Sequence, residues 1–124
     1  MPQLDAIGIV CSDLARTRAF YGLLGIEFGE GDDHVEATMP NGVRLMLDTE
    51  DVIRSFKPDW TRETGNQLAL AFACGSPAEV DGLYAQIVED GFEGEKEPWD
   101  AFRGQRYAQV QDPDGVGVDL YAAL

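Results

Sequence analysis

Few side chains among the 124 residues stand where they could do chemistry. His34 is the single histidine, and no second histidine or cysteine lies at ligand spacing from it, so its imidazole reads as a surface or cavity-rim group. A ligand set of His34, Glu36 and Asp119 is the remaining way to build a metal site from these residues. Asp119 is the candidate for a positioned base, and no catalytic residue is assigned beyond that candidacy. Opposite Gln67 it could hold a polar substrate group, with Tyr107 or Tyr121 adding a hydrogen bond. Trp60, and Trp99 with Phe102, are large aromatics in segments without regular pattern, where rings can close over a flat or cationic ligand by stacking and cation–π contact. Plainer roles are open to them: Trp99 as a plug of the core, Trp60 at a subunit contact. Arg44 and Arg103 would each add positive charge to the same region. No Gly-x-Ser-x-Gly, phosphate loop or dinucleotide fingerprint is present.

The elements that must position these residues come in two similar sets. Leu4 to Val10 is a strand-like apolar run, Ser12 is a good N-cap, and Leu14 to Leu24 follows a helical pattern stopped by Gly25. After a Gly-rich turn at Gly29 to Asp33, His34 to Met39 and Val43 to Asp48 read as strands hinged on Pro40-Asn41-Gly42. The second set starts with the run Gln67 to Ala73 and the capping box Ser76-Pro77-Ala78-Glu79. Val80, Leu83, Tyr84, Ile87 and Val88 then trace one helical face, closed by Gly91. Tyr107 to Gln111 and Val116 to Tyr121 are strands hinged on Pro113-Asp114-Gly115. Pro40 and Gly42 precede Pro113 and Gly115 by the same 73 positions, and Phe20-Tyr21 has a counterpart in Leu83-Tyr84. This is internal duplication. Residues 49 to 65 are the polar linker.

Strand alternation sorts side chains onto two faces. Ile7, Ile9, Val43, Leu45, Leu47, Leu68, Leu70, Phe72, Val116, Val118 and Leu120 form the face expected against the helices. Ala6, Gly8, Val10, Arg44, Met46, Gln67, Ala69, Ala71, Gly117, Asp119 and Tyr121 form the other, joined by His34, Glu36, Thr38, Tyr107, Gln109 and Gln111. Small residues mixed with polar ones suggest a cavity wall, the alternative being a plain solvated sheet face.

Bulk properties act by exclusion. Apolar residues make up 44%, which excludes a disordered chain, and no apolar run approaches a bilayer span. Nine basic against 23 acidic side chains give a net charge of −14, which excludes nucleic-acid and anionic-membrane partners. That charge could draw a cationic ligand; its plainer reading is a solubilising surface. The N-terminus carries no export signal, and Cys11 and Cys74 read as reduced thiols, so a cytoplasmic location is expected.

Leu4-Asp5-Ala6-Ile7-Gly8-Ile9, then Ser12-Asp13-Leu14 and Phe20-Tyr21 ahead of Leu24-Gly25, resembles the opening of vicinal oxygen chelate proteins, the superfamily of glyoxalase I, bleomycin resistance proteins and extradiol dioxygenases. Gly104-Gln105-Arg106-Tyr107, Asp112-Pro113-Asp114-Gly115 and Val118-Asp119-Leu120 resemble its last two strands. The resemblance implies an α+β fold, a single 1–124 domain of two βαβββ modules forming a cupped mixed sheet with helices outside. Module one would span 1–50, the linker 51–65 and module two 66–124. Metal-dependent members bind a divalent ion through His, Glu or Gln on the first and last strand of each module, which by resemblance fall on Ala6, Met46, Gln67 and Asp119. Alanine has no donor atom and a thioether is a poor ligand for hard or borderline cations, so no metal and no cofactor is expected. The implied function is small-molecule binding similar in kind to bleomycin resistance proteins, which sequester a drug or metabolite. Met46, Trp60, Gln67, Trp99, Phe102, Tyr107 and Asp119 would contact the ligand. A metal-dependent lyase or dioxygenase of glyoxalase type, and a regulatory or vestigial binding domain, stay open as alternatives. The superfamily's habit of pairing module edges between chains implies a homodimer.

Overall fold

A computed structural model describes residues 1–63 and 68–124. The chain divides into two compact units, Met1–Glu63 and Thr64–Leu124, each with its own sheet. The first contains β1 (Ala6–Cys11), α1 (Leu14–Leu23), β2 (His34–Thr38), β3 (Arg44–Thr49) and α2 (Glu50–Phe56). The second contains β4 (Ala69–Ala73), α3 (Pro77–Glu89), β5 (Glu93–Ala101), β6 (Gln105–Gln111) and β7 (Gly117–Ala123). Both sheets follow one plan. The first strand runs parallel to the last through a crossover helix, and the remaining strands add antiparallel, giving the orders β1-β3-β2 and β4-β7-β6-β5. The α+β class and the duplicated module plan both hold.

The two copies differ in strand number. β1 and β4 start at an offset of 63 (Ala6 to Ala69), whereas β3 and β7 keep the offset of 73. The extra residues of the second unit lie where β5 forms. Over 24–33 the first unit has Gly25, Gly29 and Gly31 among acidic residues, a composition poor in strand formers. There a backbone bond from Gly29 N to Glu36 O, 3.0 Å, lies beside β2 in place of a fourth strand.

Helix ends form largely where capping chemistry directs them. Ser76 caps α3 by accepting from Glu79 N, while the Glu79 carboxylate accepts from Gly75 N instead of from the cap residue. The cap of α1 is Asp13 and not Ser12: Asp13 Oδ1 accepts from Arg16 N at 3.1 Å. The expected linker opens with α2, capped by Thr49, with Glu50 and Asp51 in its first turn facing the helix dipole. Trp99 sits on β5, not in an irregular segment. β5 is an edge strand with two register shifts around Lys96, and there Pro98 takes no donor from an interior ladder.

In the first unit Ile9, Leu45, Leu47 and Val35 are buried with Phe20 and Tyr21, whose rings meet edge-on at 4.9 Å. In the second, Val118, Leu120, Ala108 and Val110 are buried with Val80 and Ile87 of α3. Each such aliphatic side chain contributes roughly 1.5–3 kcal/mol. Two residues assigned to the buried set are exposed. Leu68 (75% exposed) precedes β4 and has no ladder to hold it, and Val88 (42%) lies on the rim of α3. Cys11 and Cys74 are free thiols.

The hinge before β7 is held by a buried carboxylate. Asp112, 3% exposed, accepts from Asp114 N at 2.9 Å and Val116 N at 3.0 Å, while Gly115 takes positive φ. In the first unit Asn41 performs a smaller version, accepting from Val43 N. Asp112→Ala strands two backbone donors and should cost about 2 kcal/mol in urea unfolding; Asp112→Asn, whose amide oxygen still accepts, should cost clearly less.

Candidate functional site

With one face of each sheet buried, the intervening residues line up on the other in cross-strand rows. In the first unit the rows are Ala6–Arg44–Thr38, Gly8–Met46–Glu36 and Val10–Asp48–His34. In the second they are Ala69–Gly117–Gln111, Ala71–Asp119–Gln109 and Ala73–Tyr121–Tyr107, with Trp99 of β5 extending the last. Met46 thus stands opposite the buried Leu45 and Leu47, and Asp119 opposite Val118 and Leu120. The register matches Ala6 with Ala69. Gln67 lies outside the described residues.

The first unit's rows carry a chain of charges. His34 Nδ1 is 2.5 Å from Asp48 Oδ1 and its Nε2 is 2.8 Å from Glu36 Oε2. The other Glu36 oxygen accepts from Arg44 at 2.7 Å, and Arg44 also donates to Asp5 at 2.7 Å and touches the Met46 sulfur at 3.9 Å. Hydrogen bonds to Glu36 and then to Asp48 raise the His34 pKa, and those from His34 and then Arg44 lower that of Glu36. Both partners favour the protonated ring of His34, in which each ring N–H donates to a carboxylate. Both ring nitrogens of His34 and both carboxylate oxygens of Glu36 are engaged in hydrogen bonds within this chain. Among the described residues, no three His, Cys, Asp or Glu side chains are grouped to hold a metal ion.

The second unit's rows are aromatic. Tyr107 donates to Asp119 Oδ2 at 2.6 Å, and Gln109 Nε2 to Asp119 Oδ1 at 3.3 Å, so both carboxylate oxygens are engaged. The hydrogen bond to Asp119, with burial second, pushes the Tyr107 pKa up to about 12 and keeps the phenol protonated. The Tyr107 ring stacks on Tyr121 at 6.2 Å and takes Trp99 edge-on at 5.4 Å, while the Lys96 ammonium sits 4.1 Å over Trp99. Beside them opens a pocket of about 370 Å³ lined by Trp99, Ala101, Phe102, Arg103, Gln105 and Tyr107. Its lip is the three-residue tip of the β5–β6 hairpin, where Arg103 (φ 69°) and Gly104 (φ 66°) are both left-handed and Leu124 N bonds Gly104 O. Phe102, at that lip, is 89% exposed.

Of the expected ligand contacts, Trp99, Phe102 and Tyr107 come together in this pocket, and Asp119 stands one hydrogen bond behind Tyr107. Met46 belongs to the first unit's charged rows. Trp60 belongs to the turn after α2, where the Arg54 and Arg62 guanidinium groups lie 5.2 and 5.4 Å from its ring centre. Glu50 holds both arginines, so the ring's cation–π capacity is used by the protein itself. Sequence reasoning placed the charge of Arg103 in this region but missed Gln105 and Ala101 as pocket lining, and Asp48 as the partner of His34. Alternation from Arg44 and Met46 would have found Asp48; nothing but the tip geometry reveals the others.

The sequence of residues 3–120 matches the family described as Glyoxalase/Bleomycin resistance protein/Dioxygenase superfamily. The chain belongs to that superfamily. It is 30% identical to the uncharacterized protein YwkD of Bacillus subtilis (strain 168), over 98% of this chain and 97% of that one. A glyoxalase/bleomycin resistance protein/dioxygenase from Nocardioides is 25% identical with a TM-score of 0.76, covering 100% of this chain and 85% of its own. A family enzyme from Burkholderia phytofirmans PsJN superposes with a TM-score of 0.87 at 16% identity, covering 99% and 100%, which speaks for the fold alone. The positions that the sequence resemblance assigns to a metal hold Ala6, the Met46 thioether and an Asp119 engaged by Tyr107 and Gln109, while the fourth, Gln67, lies outside the described residues.

The raised His34 pKa gives a signed pH dependence. A group whose folded pKa lies above its ordinary 6.5 contributes stability fully present below that value and lost as pH rises through the folded pKa. Urea unfolding from about pH 6 to pH 9 should therefore show wild type losing stability, and His34→Gln losing less.

Proposed function

We propose that this superfamily member binds a small molecule in the hairpin pocket of its second unit, sequestering a drug or metabolite without the divalent metal that many members use. The observation that carries the reading is the pocket itself: about 370 Å³, with Trp99, Phe102 and Tyr107 as ring surfaces. That is the size and composition of a small-ligand site, a mostly apolar hollow with a few placed polar groups. Tyr107 is fixed in rotation and protonation by Asp119, so its ring meets a ligand without first being ordered, which lowers the entropic cost of binding. Asp119 acts in this reading as a positioning residue. Both its oxygens already accept hydrogen bonds, from Tyr107 and Gln109, and no catalytic residue is assigned. Of the four positions that the sequence resemblance assigns to metal, Ala6 has no donor atom and Met46 offers only a thioether. That leaves Gln67 and Asp119, fewer than the three or more protein ligands of a typical site, which supports binding without metal. A metal-dependent lyase or dioxygenase is the rival, and a vestigial binding domain the second.

Metal analysis and a thermal-shift screen separate the three. The reading expects no stoichiometric zinc, nickel, iron or manganese after purification, and a melting temperature indifferent to EDTA. It also expects flat aromatic compounds to raise that temperature, and Phe102→Ala to remove the rise while leaving the unliganded value unchanged, since Phe102 is exposed. Stoichiometric metal that EDTA strips with loss of stability would put the chain with the metal enzymes. A screen without any shift would put it with the vestigial domains.

The homodimer and cytoplasmic location belong to the same proposal. Among the described residues the outer strands β1, β2, β4 and β5 each have one strand neighbour, and open strand edges invite pairing between chains. Light scattering should give twice the 13.6 kDa chain mass at micromolar concentration; a monomer's mass would count against the dimer.

A further inference from the structure

We propose that the hairpin pocket takes a planar aromatic acid, its ring among Trp99, Phe102 and Tyr107 and its carboxylate on the Arg103 guanidinium. This rests on the reading of the pocket as a binding site and names the class of molecule it selects.

Charge inside the pocket runs against charge on the chain. The protein has 23 acidic side chains, yet the lining contains no carboxylate, and its one charged group is Arg103. Asp119, the carboxylate hydrogen-bonded to Tyr107 of the wall, has both oxygens engaged by Tyr107 and Gln109. A cationic ligand would lack a counter-ion among the lining residues. Cation–π attraction is also partly spent, since the Lys96 ammonium already occupies the Trp99 ring at 4.1 Å.

Arg103 itself is exceptional among the arginines. Arg44, Arg54, Arg62 and Arg106 each pair with carboxylates, and Arg18 donates to the Gly29 carbonyl. Among the described residues Arg103 has no ion pair or hydrogen bond, in a chain with more than two acids for every base. It also holds a left-handed backbone, φ 69°, the only non-glycine among the described residues to do so. Asparagine or glycine would fill that position with less strain, so the guanidinium is kept at a local cost, as strained residues at ligand clamps are. A planar fork presenting parallel N–H donors suits a carboxylate, and Gln105 beside it offers a further amide donor. The long-range field of the acidic chain opposes an anion, but at physiological salt it is screened over about 8 Å, whereas a direct contact is not.

Calorimetry with three probes of one ring system tests this: naphthalene-2-carboxylate, naphthalene-2-carboxamide and 2-(aminomethyl)naphthalene. Wild type should bind the acid about tenfold or more tighter than the amide, the worth of one charge-assisted hydrogen bond, and the amine most weakly. Arg103→Asn, which suits a left-handed backbone, should weaken the acid about tenfold or more and the amide far less, closing the gap between them. Phe102→Ala should weaken acid and amide alike. Amide or amine binding as tightly as the acid, still sensitive to Phe102→Ala, would overturn the anionic specificity and leave the pocket reading standing. Binding indifferent to Phe102→Ala, or no binding of any probe, would bring down the pocket reading and this inference together.

Discussion

Each sheet has to bury one face against its helix, and in a strand whose side chains alternate this single demand places every other residue. Once Leu45, Leu47, Val118 and Leu120 are committed to the core, Arg44, Met46 and Asp48, and Gly117, Asp119 and Tyr121, have only the opposite face available. A slip of one residue would send both sets to the wrong side, so the apolar burial that stabilises the units also fixes the composition of the open face. The rows formed there gather polar and aromatic groups because the register puts them on one face.

Equivalent rows of the two units have taken opposite chemistry. Val10–Asp48–His34 corresponds to Ala73–Tyr121–Tyr107, and Gly8–Met46–Glu36 to Ala71–Asp119–Gln109. The first unit fills its rows with ions that satisfy one another from Asp5 to Asp48. Such a chain fixes side-chain geometry more than it stabilises, because exposed pairs contribute little net free energy. The second unit carries one carboxylate in its rows, uses it to hold a tyrosine, and leaves rings facing an open hollow. One backbone plan therefore supports a closed electrostatic surface in one copy and a receptive one in the other, and fold alone dictates neither.

The strand faces, the paired Pro-x-Gly hinges and the buried Phe20-Tyr21 stretch were legible because each rests on short-range periodicity or turn chemistry. Elements with mixed signals were not. α2 is seven residues of Glu, Asp and Arg around Val52 and Ile53, too short to show a helical stripe before Pro58 ends the segment. β5 carries Glu, Lys and Pro98, a composition that reads as loop and is tolerated only because the strand is an edge with shifted register. Ser12 and Asp13 are equally good caps by type, and the choice between them depends on where the backbone leaves β1. At the candidate site Trp99, Phe102 and Tyr107 could be picked out by residue type and by face, and Arg103 as a charge in the same region, but the lining role of Arg103 and Gln105 could not. Their place at the pocket follows from a hairpin tip with two consecutive left-handed residues, and Arg103 is a type that does not announce that conformation.

The disparity between the chain's charge and the pocket's has a physical consequence for how such a domain selects ligands. A net charge of −14 sets a field over the whole surface, and read alone it argues for cations. Selection, however, is decided where water is displaced, and there the cost of leaving a charge unpaired outweighs a screened distant potential. An acidic surface around a carboxylate-free hollow therefore attracts cations without offering them a counter-ion, and admits an anion only at the contact that compensates it. Under the proposed binding of an aromatic acid, the surface charge would maintain solubility and slow non-specific capture of anions, while Arg103 and the surrounding rings would decide which molecule stays.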